Sequence, residues 1–335
     1  MQTIDQMIKP RKNRPQTTLV LGAGASRSVS YAHKGGHPSP LDTDFFDLLQ
    51  RLTPTRTDRA SVDAVLAQVR ELPHEYWRSM ERAFYTLQLR AYLNQKLTAI
   101  APKITDKDVV GAFATCVQSL LRKAHGKHKC DDHAWVLQAM HKDDTVISFN
   151  YDLVAERAIR GMAEDRGVAF SPSLYALEDN RAFGDIPKIL KLHGSSNWRL
   201  KSDGVIEVRM NSWDDLDVTP GYRGDQGTGT VFPIFLPFWD KRIEEKPWLP
   251  LWQTAFRRLK ETKRMIVWGY SLPQTDLKAQ QLFGLALASK APDLVVIDPS
   301  PATRERWRSL LPKARYWEYD NMRDFRSQSP LWWKR

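Results

Sequence analysis

The sequence predicts an α/β protein with a Rossmann-like, doubly wound and mostly parallel sheet that carries a helical subdomain. Two observations favour this fold. Short apolar segments recur along the chain and run into glycine or polar residues, which is typical of buried parallel strands. Between the first two of these segments, apolar residues recur with helical spacing over about residues 45–141. At 335 residues the chain is long enough to bury a large core.

The first apolar segment, Thr17–Leu21, runs directly into the glycine-containing sequence Gly22–Ser26. A strand that breaks into glycines opens many nucleotide-binding βα units, because Gly22 and Gly24 let the backbone turn tightly and approach a phosphate. We therefore expect this turn and the start of the next helix to face a pyrophosphate. The dehydrogenase form of the motif fits poorly, since Arg27 stands where its third glycine would be.

The predicted organisation is a flexible N-terminal arm at residues 1–16 and one nucleotide-binding domain at residues 17–335. The helical insertion covers about residues 45–141. Its apolar residues lie at positions i, i+3, i+4 and i+7, the spacing of one face of a helix. One such stripe consists of Val62, Val65, Leu66 and Val69. We interpret these stripes as core contacts, with the insertion packed beside the sheet.

Several potential metal ligands follow the helical stretch, namely His125, His128, Cys130 and His133. Imidazole and thiolate suit zinc, but a paired Cys-x-x-Cys is missing, so we predict an exposed loop without a metal. The two cysteines of the chain cannot form a disulfide framework, which indicates a reducing cytoplasm. No apolar run approaches the roughly 20 residues that span a bilayer, so we expect no membrane contact.

Four further predicted strands also end in polar or glycine-containing sequences. Thr145–Phe149 is followed by Asn150-Tyr151-Asp152, Lys188–Leu192 by His193-Gly194-Ser195, Arg264–Trp268 by Gly269-Tyr270-Ser271, and Leu294–Ile297 by Asp298. The carboxyl ends of parallel strands lie at one edge of a sheet, so these residues should converge on one crevice. His193 suits proton transfer near neutral pH. Asp152 either serves this crevice or caps the helix that follows it.

This ordered set of motifs resembles the sirtuin superfamily, and more closely its bacterial sirtuin-like branch, the NAD hydrolases of anti-phage defence. The motifs that match are Gly22–Ser26, Asn150 with Asp152, His193-Gly194 and Gly269–Ser271. The longer strings that resemble the defence branch are Phe149–Asp152 and Lys191–Ser195 with Asn197-Trp198. Classical sirtuin deacylases carry a small domain with a zinc-binding cysteine ribbon. The two cysteines of this chain exclude that ribbon, which places the acyl-lysine groove in question but not the NAD pocket.

The resemblance implies that NAD is the substrate and that no metal takes part. It implies a catalytic pair, Asn150 and His193. The NAD-binding residues that it implies are Gly22, Ala23, Gly24 and Ser26 at the diphosphate, Asp152 near the nicotinamide, Gly269 and Ser271 on the adenosine side, and Asp298 at a ribose hydroxyl. Cleavage of the bond between nicotinamide and ribose passes through an oxocarbenium-like state, which needs a base and a positioned water.

The predicted function is hydrolysis of NAD to ADP-ribose and nicotinamide by a regulated effector that depletes NAD after phage infection. Two alternatives use the same pocket. One is an NAD-dependent protein deacylase or ADP-ribosyltransferase, and the other is a non-catalytic module that binds NAD or ADP-ribose within a defence complex. The resemblance implies a homo-oligomer, or a separately encoded ring ATPase or Argonaute-type partner, with a phage component as the trigger.

The net charge of +11 permits direct binding of nucleic acid. The basic residues are scattered, however, so we favour a basic surface that attracts anions in general. The adjacent tryptophans Trp332 and Trp333 are either an interface anchor or part of a packed C-terminal tail.

Overall fold

The computed structural model describes residues 15–27, 37–97, 106–125, 130–168, 171–177, 185–200, 205–208, 243–244 and 247–333. The strands are β1 (Thr17–Leu21), β2 (Thr145–Ser148), β3 (Lys188–Lys191), β4 (Trp198–Leu200), β5 (Ile206–Val208), β6 (Arg264–Trp268), β7 (Asp293–Ile297) and β8 (Arg315–Tyr319). The predicted arm lies outside the described residues, apart from its last two positions. There the Gln16 carbonyl accepts hydrogen bonds from the amides of Lys263 and Arg264.

The helices lie between and after these strands. They are α1 (Phe45–Arg51), α2 (Arg59–Arg70), α3 (Met80–Leu97), α4 (Asp106–His125), α5 (Asp131–Gln138), α6 (Val154–Asp165), α7 (Trp248–Glu261), α8 (Leu277–Leu287), α9 (Pro301–Leu310) and α10 (Met322–Gln328). None of the helices in the described ranges is long and apolar enough to cross a bilayer.

Six strands form one fully parallel sheet in the order β3-β2-β1-β6-β7-β8. The predicted fold class is thereby confirmed. At the centre of the sheet, Leu19 of β1 lies between Val146 of β2 and Ile266 of β6. Every residue of β1 is buried, as expected for a strand whose sheet is flanked by helices. The chain runs from β1 to one side of the sheet and returns at β6 on the other side. This reversal is a topological switch point, where open α/β sheets form their crevice.

The apolar side chains form two large clusters. One lies on the sheet and includes Leu19, Ile147 and Val295. The other joins helices α1–α4, and the ring centroids of Phe84 and Phe113 lie 4.9 Å apart within it. This second cluster reaches Leu153, which lies just after β2, so the helical layer packs beside the carboxyl edge of the sheet. The boundaries of the helical insertion stay a prediction.

The predicted exposed loop after the helical stretch is wrong for the residues that are described. His125 ends α4, Cys130 precedes α5, and His133 lies within α5, and each is at most 2% exposed. The His133 ring lies 4.4 Å from that of Trp268, and its Nδ1 lies 3.1 Å from Cys130 Sγ. The polar composition of this segment predicts exposure to solvent, but His133 packs against Trp268 of β6 and Cys130 packs against Val154. Among the described residues, no three acidic, histidine or cysteine side chains are placed to hold a metal, and His128 lies outside them.

Burial of His125 makes the fold sensitive to acid. Desolvation lowers the pKa of His125 from 6.5 to about 4. An unfolded chain protonates this ring near pH 6.5, so the stabilisation by neutral His125 is complete above that pH. It is lost as the pH falls toward 4, at a cost of up to about 3 kcal/mol. We expect the unfolding free energy of His125→Gln, measured in urea, to vary less between pH 6.5 and 4. An equally steep pH dependence in the variant would contradict this assignment.

The C-terminal tryptophans pack against the fold, as the packed-tail alternative predicts, and both side chains remain partly exposed. The ring of Trp332 lies 6.0 Å from Trp317, and that of Trp333 lies 5.8 Å from Phe325. The Arg264 guanidinium lies over the Trp332 ring at 5.1 Å, a cation–π distance.

Candidate functional site

A cleft of about 1390 Å³ lies at the carboxyl edge of the sheet, at the switch point beside β1. Residues that follow β1, β2, β3, β6 and β7 line it, together with residues of the helical layer. Nine of the predicted site residues are in this lining: Gly22, Ala23, Gly24, Asn150, Asp152, His193, Gly269, Ser271 and Asp298. The exception is Ser26, which is fully buried behind the turn. The structure thus brings the strand ends together, while the roles of these residues stay predictions.

The turns that follow β1 and β6 are packed directly against each other. The Gly24 amide donates to the Gly269 carbonyl at 3.0 Å. A Cβ on Gly22 would lie 2.4 Å from that same carbonyl oxygen, and one on Gly269 would lie 2.1 Å from the amide nitrogen of Ala25. Gly269 also has a φ of +62°, which disfavours a side chain. Contact between the two turns is by itself sufficient to require glycine here, and the predicted approach to a phosphate stays a prediction.

The turn after β1 leads into a short 3₁₀ helix, Ala25–Arg27, where we expected the N-terminus of an α-helix. The two polar side chains of this short helix bind neighbouring carboxylates. Ser26 Oγ donates to Asp152 Oδ2 at 2.7 Å, and Arg27 pairs with Asp44. The residues that come next, 28–36, lie outside the described ranges.

Asn150 is held in place by the turn after β1. Its Nδ2 donates to the Gly22 carbonyl at 2.9 Å and to Ser26 Oγ at 3.2 Å. These bonds use both hydrogens of the amide, so Oδ1 is the acceptor that Asn150 offers to a ligand. The side chain is therefore oriented before any ligand binds.

Asp152 lies just before α6 and belongs to the network around Asn150. Its Oδ1 accepts from the Val154 amide at 3.0 Å, while the N-cap position itself is Leu153 and no side chain caps the helix there. Burial would raise the pKa of Asp152, but His125, Lys191 and the bond from Ser26 outweigh it, and the pKa is lowered. The side chain is therefore an anion at neutral pH.

A buried ion pair supports Asp152 from within the sheet. Lys191 Nζ lies 3.0 Å from Glu156 Oε1, and neither side chain is more than 1% exposed. The same Nζ donates to the Asp152 carbonyl, and Tyr175 donates its hydroxyl to Glu156 at 3.0 Å. These further hydrogen bonds offset part of the cost of burying the two charges, although Glu156 Oε2 has no partner among the described residues.

His193 follows β3, and its Nε2 lies 2.9 Å from Asp276 Oδ2. Phe149 touches the imidazole edge-on at a centroid distance of 4.9 Å, and Phe149 itself stacks on Tyr270 at 4.0 Å. The Tyr270 hydroxyl donates to the same Asp276 oxygen at 3.0 Å. The imidazole is thus held by its contact with the Phe149 ring and by its hydrogen bond with the Asp276 carboxylate.

Sequence reasoning missed Asp276. The only available signal was its position directly before an apolar helix, where Asp is a common N-cap. The structure shows that cap, since Asp276 Oδ1 accepts from the Ala279 amide at 3.3 Å. Its contact with His193 depends on how α8 meets β3, which no local pattern reveals.

The end of the cleft beside β7 is formed by Asp298 and Ser271. Asp298 Oδ1 accepts from the Ser300 amide at 2.9 Å, and burial raises the pKa of its carboxyl group. The Ser271 carbonyl accepts from Arg306 Nε at 2.8 Å, while the Ser271 side chain is exposed. Arg306, which also lines the cleft, provides positive charge at this end.

Asn150→Asp tests whether the amide network holds the site together. The substitution replaces the donor Nδ2 with an oxygen that faces the Gly22 carbonyl. We expect it to destabilise the fold by about 1–3 kcal/mol, because two buried acceptors lose their donor. Thermal unfolding of the variant beside the wild type measures this loss. An unchanged melting temperature would show that the amide is not held as described.

The sequence matches no protein-family model and no curated protein. Among solved structures, a Sir2 enzyme from a study of the mechanism and regulation of such enzymes is 13% identical, with 94% of each chain covered and a TM-score of 0.43. A Sir2 homologue in complex with NAD is 13% identical, with 92% of this chain and 84% of that chain covered and a TM-score of 0.37. A Sir2 homologue mutant with ADP-ribose is 13% identical, with 94% of each chain covered and a TM-score of 0.38. Likenesses this distant carry no weight for function, so the functional assignment depends on the residues of the chain itself.

Proposed function

We propose that the chain is an NAD glycohydrolase, which converts NAD and water to ADP-ribose, nicotinamide and a proton. The observation that carries this proposal is the meeting of Asn150 and His193 in one cleft with the paired glycine turns. An amide acceptor and an imidazole follow the ends of two neighbouring strands, β2 and β3. The motifs that supply them resemble those of sirtuin-like NAD hydrolases.

The cleft has the size and charge distribution that NAD needs. Its volume of about 1390 Å³ exceeds the roughly 300–1,000 Å³ of typical small-molecule sites, so a dinucleotide and a water fit together. Anionic Asp152 suits the cationic nicotinamide ring. Arg306 and Asp298, at the end of the cleft beside β7, suit a phosphate and a ribose hydroxyl respectively.

The proposed reaction breaks the bond between the nicotinamide nitrogen and the ribose carbon. Nicotinamide leaves as a neutral molecule with the bonding electrons, and positive charge develops on the ribose. The Asn150 Oδ1 accepts a hydrogen bond from the attacking water and adds no competing charge. His193 takes the proton of that water as the new C–O bond forms. A well-placed base of this kind contributes about 10² to 10⁴ to the rate.

Product analysis tests the proposal against the alternatives. The purified chain is incubated with NAD, and ADP-ribose, nicotinamide and any modified protein are quantified. Hydrolysis predicts equal amounts of the two products without any acceptor. A deacylase would require an added acyl-lysine peptide, and a transferase would leave ADP-ribose on protein. Calorimetric NAD binding without turnover would instead support the non-catalytic module.

We further propose that this activity serves anti-phage defence, with NAD depleted once infection is sensed. The support is the resemblance of two longer strings to the defence branch, namely Phe149–Asp152 and Lys191–Ser195 with Asn197-Trp198. An activity of this kind needs control by self-assembly or by a ring ATPase or Argonaute-type partner. Cells that express the wild type should lose NAD after phage infection, whereas cells that express Asn150→Ala should not. Equal NAD levels in both would remove the defence role.

A further inference from the structure

We propose that Asp276 is a positioning residue that fixes the tautomer of His193, so that Nδ1 is the nitrogen that takes the proton during NAD cleavage. This inference deepens the proposed function and rests on it for the identity of the reaction. The tautomer itself is a property of the chain and is measurable without turnover.

The pairing geometry sets which ring nitrogen carries hydrogen. His193 Nε2 lies 2.9 Å from Asp276 Oδ2, and the two side chains are 10% and 4% exposed. An ionised carboxylate only accepts hydrogen bonds, so Nε2 must donate. A neutral imidazole has one N–H, and its lone pair is then on Nδ1. The nitrogen that can take a proton is therefore Nδ1.

The carboxylate is held so that it cannot turn away from the ring. Its Oδ1 accepts from the Ala279 amide at the start of α8, and its Oδ2 also accepts from the Tyr270 hydroxyl at 3.0 Å. The Asp276 amide in turn donates to the Pro273 carbonyl at 3.0 Å. Backbone and side chain are both fixed, which is what the orienting member of a catalytic pair requires.

Among the described residues, the titratable groups Glu81, Tyr151 and Tyr270 lie near this pair. Glu81 of α3 binds the Thr275 hydroxyl beside Asp276, and the Tyr151 ring lies 6.3 Å from that of His193. Burial raises the pKa values of Tyr151 and Tyr270 well above 10, so both stay protonated. At this contact His193 meets the carboxylate of Asp276, whose negative charge stabilises the imidazolium that forms when Nδ1 takes a proton.

The test compares Asp276→Asn and Asp276→Ser with the wild type. Both substitutions retain a good N-cap for α8, but neither offers a carboxylate to Nε2. We expect kcat for NAD to fall about 100-fold or more in both, with KM changed less than about 3-fold. The acid limb of the kcat–pH profile should move to lower pH in both, because loss of the negative charge makes His193 a weaker base.

Nitrogen-15 NMR of histidine-labelled protein reads the tautomer directly, with the His193 signals identified by their loss in His193→Gln. In the wild type we expect Nε2 protonated and Nδ1 unprotonated near neutral pH. Asp276→Asn should shift the population toward the other tautomer. A wild-type ring with unprotonated Nε2, or variants that retain kcat, pH profile and tautomer, would overturn the inference. If the wild type cleaves no NAD, the proposed function fails while the NMR result still decides the role of Asp276.

Discussion

His193→Ala is expected to lower NAD cleavage at least about 100-fold, because it removes the proposed base. The side chain is only 10% exposed and makes edge contact with Phe149. The loss should therefore appear in kcat more than in KM, since the residues proposed to bind the dinucleotide are untouched. Nicotinamide release, followed over time at saturating NAD, measures it.

The matched control is His74→Ala. His74 is exposed, stacks loosely on Trp77 with centroids 6.1 Å apart, and does not line the cleft. It should retain wild-type turnover. Melting temperatures of all three proteins separate a chemical loss from a folding loss. Wild-type kcat in a well-folded His193→Ala would end the assignment of His193 as the base.

Gly269→Ala is expected to destabilise the fold by at least about 3 kcal/mol, which makes it the most damaging small substitution that we foresee. Two costs add together. The φ of +62° is unfavourable for alanine, and the new Cβ would lie 2.1 Å from the backbone of Ala25. The atoms that this Cβ would meet belong to the backbone of Gly24 and Ala25, which cannot move aside as the end of a flexible side chain would. Urea unfolding monitored by far-UV circular dichroism measures the change.

Gly161→Ala is expected to stabilise the fold, in contrast to Gly269→Ala. Gly161 lies inside α6, and an added Cβ would meet no atom within 4 Å. Alanine should therefore stabilise the fold by about 0.5–1 kcal/mol, through its better helix propensity and the smaller entropy of the unfolded chain. If both substitutions changed stability by similar small amounts, the close contact of the turns after β1 and β6 would be wrong.

The elements that the sequence predicted well are those whose signal is local. Strands such as β6 and β7 are continuous apolar runs because both faces of the sheet are covered. The positions of Asn150 and His193 at strand ends followed from the same reasoning, since parallel strands present their carboxyl ends at one edge. Local pattern was enough to collect these residues in one cleft.

The features that escaped prediction depend on contacts between distant segments. The bond between His193 and Asp276 exists because α8 begins beside the end of β3. Burial of His133 against Trp268 contradicts the polar composition of its neighbourhood. The glycines after β1 and β6 stood out in the sequence, but nothing in the sequence indicated that these two turns pack against each other. In each case the residue type was visible in the sequence, whereas the residue that it would meet was not.

The interlocked glycine turns also govern when the cleft comes into existence during synthesis. Gly24 is made early and Gly269 late, yet the backbone of each forms part of the wall against which the other rests. Until β6 pairs with β1, the cleft has the residues that follow β1, β2 and β3 but lacks the wall formed by the residues that follow β6 and β7. A nascent chain on the ribosome therefore has no formed pocket, since such long-range pairing comes late in folding. The chain is proposed to consume NAD, which every cell needs. On this topology, only a chain whose parallel sheet is complete can cleave NAD.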